Sequence, residues 1–326
     1  MAAERLSVLG CGRWGGFHLW YGSRVGLATT GWEPAGSAPL EELARKRRNE
    51  YLELPEDVRL TTDLSGALKA DQVIVSVPAQ TFRSLARRIA GRDLSGTDLV
   101  LCMKGIERST GRRLSQVASE EGVKARSLSA WVGPGHPQQL VRGVPSCMIV
   151  ASERPESAER VARRMGSRLI RFYRSTDLPG VEVGAAAKNV VGIAAGILDG
   201  MGYSGLKGSL MARAPQEVAR LVAAMGGDWR SVYGLSHLGD YEATLFSPYS
   251  RNRACGEALA KGGRTAGLAE GVETSAAICR LAGEYGVDMP ITRTVRSILD
   301  GALTPGEAIE ELFGRPEKEE FPDSFR

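Results

Sequence analysis

With 326 residues the chain has length for roughly two domains, and its 43% hydrophobic content is enough for a sizeable core. Charged residues make up 25% and the formal balance is only +4, spread along the chain, so neither a nucleic-acid partner nor membrane insertion is expected; runs such as Arg45 to Arg48 read as solvated helix faces. Five cysteines without CxxC spacing and only three histidines argue against a zinc site or a disulfide framework, so no metal and a reducing, cytoplasmic setting are expected.

The N-terminal segment lacks the basic stretch and long apolar core of a secretion signal. Leu6 to Leu9 predict a short strand that runs at once into GCGRWG and an aromatic-rich helix. Gly10, Gly12 and Gly15 match G-x-G-x-x-G in the context that gives it meaning, after a strand and before a helix. There the glycines allow a tight turn, a close approach of pyrophosphate to the backbone and tight helix packing. Arg13 and Trp14 lie in the same loop and share its assignment to a dinucleotide cofactor. The fingerprint calls for an acid about twenty residues on, for the ribose 2′-hydroxyl. Glu33, after a second strand at Leu27 to Trp32, is in range, although a solvated turn residue would look the same. No arginine or lysine lies between Gly26 and Glu41, which favours NAD and leaves NADP open to a cation from elsewhere in the fold.

A charged helix follows at Leu40 to Tyr51, then strands near Val58 to Thr61 and at Gln72 to Val77, the latter ending in Pro78. That β-branched run predicts a parallel strand buried on both faces, whose carboxyl end with Pro78 lines the ligand crevice. The strand Asp98 to Met103 delivers Lys104, well placed to meet an anion. A helix at Arg112 to Glu121, a strand at Ser127 to Val132 that ends in Gly133, and strands at Ser146 to Ala151 and Arg168 to Tyr173 around a charged helix complete the alternation. From Leu178 the strand signal disappears and helices follow, at Val181 to Met201, Ser209 to Met225, Trp229 to Tyr233, Arg253 to Ala260, Glu273 to Tyr285, Ile291 to Asp300 and Thr304 to Leu312. The expected division is 1–178, 179–314 and a flexible tail at 315–326.

The helix over Gly180 to Gly200 is apolar or tiny on every face and carries one lysine, Lys188. Such a helix belongs in a core, where an ammonium is either paired or has its pKa pulled toward neutrality, unless it reaches water at an edge. Gly184 to Ala187 before it and Asn189 after it would let a ligand approach the backbone and meet a cation and an amide side by side.

Taken together, GCGRWG, VPAQTF, CMKG, VGPG, GVEVGAAAKNVVGIAAGILDGMG, HLGDYEATLFSPYSRNR, LAEGVET and VDMPIT resemble, in order and spacing, the NAD(P)-dependent glycerol-3-phosphate dehydrogenase family over nearly the whole chain. The resemblance implies an α/β fold: an N-terminal Rossmann-type dinucleotide-binding domain followed by an all-α C-terminal domain, in a homodimer acting on a small phosphorylated substrate. It implies Lys188 as general acid/base, Lys104 as a lysine reaching both cofactor and substrate, and Asp240 as the acid behind them. It further implies Asn189, Thr244 and Gly133 as substrate contacts, Arg251 and Asn252 as the phosphate pair with Arg251 also toward the cofactor, and Glu270 as a cofactor contact. These types suit the chemistry, since oxidising a secondary alcohol needs a base for its proton and the reverse needs a cation at the ketone. An arginine fork on a remote phosphate would hold the skeleton in line.

The chain departs from that family at Gly135-His136-Pro137, where a hydroxyl residue touching substrate would be expected, and at Gly205-Leu206 before Lys207. The second strand is also poor in β-branched apolar residues. Three readings follow: a glycerol-3-phosphate dehydrogenase, a same-scaffold dehydrogenase for another small phosphorylated or phosphonate hydroxy compound, and a dinucleotide sensor without turnover.

Overall fold

The computed structural model describes residues 3–263, 269–317 and 319–320. Its contacts divide the chain into two compact units, Met1–Met103 with Leu114–Leu178, and Lys104–Arg113 with Pro179–Arg326. The expected boundary at 178 is therefore interrupted. Residues 104–113 go with the helical unit because Ile106 is buried in that unit's core and Arg113 pairs with Glu182 at 2.6 Å.

The first unit contains β1 (Arg5–Leu9), α1 (Arg13–Arg24), β2 (Ala28–Trp32), α2 (Ala38–Lys46), β3 (Arg59–Thr61), α3 (Leu64–Ala67), β4 (Gln72–Val75), α4 (Phe82–Ile89), β5 (Leu94–Leu101), α5 (Leu114–Glu120), β6 (Ala125–Val132), α6 (Pro137–Leu140), β7 (Ser146–Ala151), α7 (Pro155–Met165) and β8 (Ile170–Ser175). The sheet runs β3-β2-β1-β4-β5-β6-β7-β8. All neighbours are parallel except β6 and β7, whose connection contains only the one-turn α6. Val73, Ile74 and Val75 of β4 are fully buried because both sheet faces are covered. Phe17 and Tyr21 of α1 with Val161 and Met165 of α7 belong to one core cluster, and Phe82 and Ile89 of α4 with Val117 of α5 to another. The chain leaves in opposite directions from β1 and β4, so the carboxyl ends at Leu9 and Val75 bound a crevice. Arg47 departs from the solvated face expected of it: it ends α2 in a left-handed conformation, and its guanidinium donates to the carbonyls of Pro55 and Val58.

The second unit contains α8 (Leu178–Gly200), α9 (Lys207–Ala224), α10 (Arg251–Ala260), α11 (Glu270–Glu284), α12 (Pro290–Leu299) and α13 (Pro305–Phe313). Short 3-10 turns at Trp229–Tyr233 and Leu238–Asp240 and a π-helical turn at Glu242–Phe246 lie between α9 and α10. By length and composition α8 is apolar enough to cross a membrane, but 94% of its apolar window is buried inside the protein, as in a core helix. One stripe of α8 repeats every fourth residue as Gly184, Lys188, Gly192, Gly196 and Gly200. Close approach requires those glycines: a Cβ on Gly196 would lie 1.9 Å from the Arg253 carbonyl oxygen, and one on Gly192 2.8 Å from Thr244 Cγ2. Lys188 thus faces a wall that its glycine neighbours have drawn close. Of the expected tail, residues 318 and 321–326 lie outside the described residues, while Arg315 pairs with Asp288.

Candidate active site

In the second unit Lys104, Lys188, Asp240 and Thr244 come together. Asp240 Oδ2 lies 2.7 Å from Lys104 Nζ and 2.6 Å from Lys188 Nζ. Lys188 Nζ also donates to Thr244 Oγ1 at 2.7 Å, and that hydroxyl donates to the Asp240 carbonyl at 2.8 Å. Asp240 is wholly buried at the end of its 3-10 turn, and Thr244 is fixed by the π-helical turn, a form that recurs at functional sites. Burial pulls the Lys188 ammonium down to a pKa of about 8; the Asp240 carboxylate works against that and Lys104 with it. Buried Asp240 Oδ1 has no hydrogen-bond partner among the described residues, and the carboxylate's other oxygen meets both lysines.

Asn189 and Asn252 form an amide relay. Asn189 Nδ2 donates to the Lys104 carbonyl at 2.8 Å, Asn252 Nδ2 to Asn189 Oδ1 at 3.0 Å, and the Gly271 amide to Asn252 Oδ1 at 2.9 Å. Both side chains are largely committed to holding Lys104 and the start of α11, which leaves each its second N–H and one oxygen lone pair for a ligand. Arg251 is the exposed first residue of α10 and makes no hydrogen bond or ion pair among the described residues, whereas Arg253 is tied to Asp199 at 3.0 Å and to Glu257 at 3.1 Å. Lys207, at the second departure, pairs with Asp199 at 2.7 Å and donates to the Leu245 carbonyl at 3.1 Å, which anchors the π-helical turn. Glu270 opens α11. A cavity of about 780 Å³ near α9, α12 and α13 includes none of these residues and lies apart from the chemistry.

In the first unit Gly10 has φ +102°, and a Cβ on Gly15 would sit 1.7 Å from the Gly10 carbonyl oxygen. A Cβ on Gly12 would meet nothing within 4 Å, and α1 begins there without a side-chain cap. Open space in front of uncapped helix amides fits a pyrophosphate, so the residues present fit a dinucleotide. Arg13 and Trp14 form the first turn of α1, where Trp14 meets the Phe17 ring edge-on at 5.6 Å. Glu33 does more than follow β2: its Oε1 accepts from the Cys11 amide at 2.6 Å, joining the glycine loop to the second strand. A cation distant in sequence does reach that strand end, with the Arg88 guanidinium 5.0 Å from the Trp32 ring centre. Pro78 is exposed after β4 and its carbonyl accepts from Thr81 Oγ1 at 2.8 Å.

The altered loop has a backbone reason. Gly133 and Gly135 have φ +137° and +138°, which side-chain-bearing residues rarely adopt. A Cβ on Gly133 would lie 3.0 Å from Met148 Cα, and one on Gly135 3.3 Å from Met148 Cε. Gly135 is therefore required by its conformation, not merely a hydroxyl residue that has been lost, and His136 is buried at the cap of α6.

A parallel half-sheet in the order 3-2-1-4-5-6 with a glycine-rich turn, joined to a helical unit with a buried lysine held by aspartate, defines a two-domain dehydrogenase of the dinucleotide-dependent class. Residues 5–158 match the N-terminal domain, and residues 177–310 the C-terminal domain, of NAD-dependent glycerol-3-phosphate dehydrogenase. The chain belongs to the NAD-dependent glycerol-3-phosphate dehydrogenase family, whose members use NAD or NADP. It is 37% identical to a glycerol-3-phosphate dehydrogenase [NAD(P)+] of Prosthecochloris aestuarii, over 97% of this chain and 99% of that one. A relative of the same name from Deinococcus radiodurans is 37% identical over 97% and 96%. Among solved structures, the crystal structure of glycerol-3-phosphate dehydrogenase from Coxiella burnetii superposes with a TM-score of 0.89 at 26% identity, covering 96% of this chain and 99% of that one.

Proposed function

We propose that the chain interconverts sn-glycerol 3-phosphate and dihydroxyacetone phosphate with NAD(P), with Lys188 as the proton acceptor and donor. The observation that carries this reading is a buried ammonium 2.6 Å from a carboxylate oxygen with a pKa brought down to about 8. A lysine so tuned changes protonation near neutral pH, as a group must that takes the alcohol proton in one direction and returns it to the ketone oxygen in the other. When bound, the nicotinamide would supply or accept the hydride. Gly10, Gly12, Arg13, Trp14, Gly15, Glu33 and Pro78 are the residues that would hold the dinucleotide, and Glu270, Lys104 and Arg251 are proposed as further cofactor contacts. Glu33 supports a preference for NAD, because a carboxylate that accepts a ribose hydroxyl repels a 2′-phosphate.

Asp240 keeps Lys104 and Lys188 in place and tempers their mutual repulsion. Arg251, whose side chain has no partner among the described residues, suits the substrate phosphate, whose binding energy would hold the reacting carbon in place. Asn189, Asn252, Thr244 and Gly133 complete the proposed substrate contacts. Gly135 brings no side-chain hydroxyl to its loop, which supports a second reading, a related small phosphorylated or phosphonate hydroxy compound as substrate. A sensor without turnover fits less well, since it has no use for a buried proton relay. Exposed Trp229, Tyr233 and Phe313 support a homodimer, and five free cysteines support a reducing cytoplasm.

The test is turnover of dihydroxyacetone phosphate with NADH by the native chain and by Lys188→Ala. Loss of turnover with NADH binding intact is expected; retention of most of kcat would remove Lys188 from the mechanism.

A further inference from the structure

Two buried side chains beside the lysine–aspartate pair, His237 and Tyr241, have no part in the chemistry above. His237 Nδ1 lies 2.7 Å from the Gly184 carbonyl oxygen, and the Tyr241 hydroxyl lies 2.7 Å from His237 Nε2. A carbonyl only accepts, so Nδ1 carries the proton; Nε2 is then the acceptor and Tyr241 donates. The imidazole is thereby fixed as one neutral tautomer. Burial pushes its pKa down to about 4, with Lys188 acting in the same sense and the Gly184 carbonyl and Asp240 against it.

The placement of this pair gives it a function. Gly184 stands one helical turn before Lys188 on the same stripe of α8, while Tyr241 lies between Asp240 and Thr244. Residues 237–244 are thus fastened to α8 at two levels: His237 on Gly184, and Asp240 with Thr244 on Lys188. A Cβ on Gly184 would come within 3.2 Å of His237 Cβ, so the contact is close as well as hydrogen-bonded.

We propose that His237 is a positioning residue for the reaction: bonded to Gly184 and Tyr241, it sets the height of Asp240 and Thr244 against Lys188 and so the geometry of proton transfer. The inference rests on the reading of Lys188 as acid/base. The imidazole must stay neutral for a second reason, because a cation there would add to Lys104 and Lys188 opposite the single Asp240 carboxylate.

The experiment compares His237→Ala, His237→Phe and His237→Asn with the native chain and with Lys188→Ala. The readouts are kcat, KM for NADH and the pH midpoint of kcat, each corrected for folded fraction by circular dichroism. Phe keeps the ring volume without the hydrogen bonds, while Asn keeps a donor toward Gly184. Ala and Phe are expected to lower kcat roughly ten- to hundredfold with KM for NADH unchanged. They should also move the pH midpoint by about half a unit or more, and Asn should recover most of kcat. A loss that merely follows the folded fraction, or a native midpoint and kcat in His237→Phe, would overturn the inference alone, provided Lys188→Ala is inactive. Turnover retained in Lys188→Ala would overturn it together with the reading on which it rests.

Discussion

Asp240→Asn removes the one charge that lies against both lysines while keeping the side-chain volume. In the native chain Oδ2 sits 2.7 Å from Lys104 Nζ and 2.6 Å from Lys188 Nζ, and the Lys188 pKa of about 8 balances burial and Lys104, which lower it, against this carboxylate, which raises it. Unit charges with centres about 4 Å apart attract by roughly 4 kcal/mol at an effective dielectric of about 20. At about 1.4 kcal/mol per pK unit, losing even part of that attraction carries the Lys188 pKa of the variant well below its native value. Ketone reduction needs the proton on the amine, so its rate in the native enzyme should fall as pH rises through about 8, whereas in the variant it should already have fallen at a lower pH. Alcohol oxidation needs the free amine and should persist in the variant at mildly acidic pH. The assay is kcat/KM for dihydroxyacetone phosphate with NADH, and for the reverse reaction, from pH 5 to 9. A midpoint unchanged from native, with rates lowered equally at every pH, would refute the electrostatic argument. Stability is measured alongside, because stranding the buried Lys188 costs about 3–5 kcal/mol while it is charged. By linkage, the folded pKa of Lys188 lies below its ordinary 10.5, so its burial cost is fully present below pH 8 and fades as pH rises toward 10.5.

Arg251→Ala should lower kcat/KM for the phosphorylated substrate by about 2–5 kcal/mol, acting on both KM and kcat, and native kinetics in this variant would remove the anion site. Glu33→Gln keeps an acceptor for the Cys11 amide but not the charge, so the ratio of kcat/KM for NADPH over NADH should rise by about tenfold, or 1.4 kcal/mol; an unchanged ratio would mean that Glu33 only braces the loop. Gly135→Ser should lose activity and stability because φ is +138°, and improved turnover of sn-glycerol 3-phosphate would contradict the backbone reading. Gly256→Ala, whose Cβ would lie 2.0 Å from the Ile193 carbonyl oxygen, should destabilise by about 1–3 kcal/mol in thermal or urea melts; an unshifted midpoint would show that α8 and α10 can part without cost.

Much of this was legible in residue order. The apolar runs at β1, β4 and β6 and the helical spacing of α8, α9 and α12 fall close to where the sequence puts them, because burial on two faces or one imposes short local periods. The sequence reading names no helix between Pro78 and Asp98, where α4 lies, and no local signal marks the π-helical turn that carries Thr244. His237 has a different reason: as the first residue of HLGD it looks like any buried histidine until its ring is found on the Gly184 carbonyl. The four-residue period of Gly184, Lys188, Gly192, Gly196 and Gly200 was the available signal that something packs tightly there.

By itself the sequence determined the dinucleotide loop, the alternation that gives a parallel sheet, the change to helices after Leu178 and the types of residue that could move a proton. These follow from spacing and composition, which neighbours along the chain settle between themselves. Tertiary structure alone decided that one oxygen of Asp240 serves two lysines, one of them 136 residues away, and that Lys188 meets a hydroxyl 56 residues on. It also decided that Asn189 and Asn252 are tied to each other and to the backbone of Lys104 and Gly271, and that Gly135 answers to a torsion angle. Such pairings depend on which surfaces the packed core brings within three ångströms, and charge balance at that range is set by burial, a property no residue has until its neighbours in space are fixed.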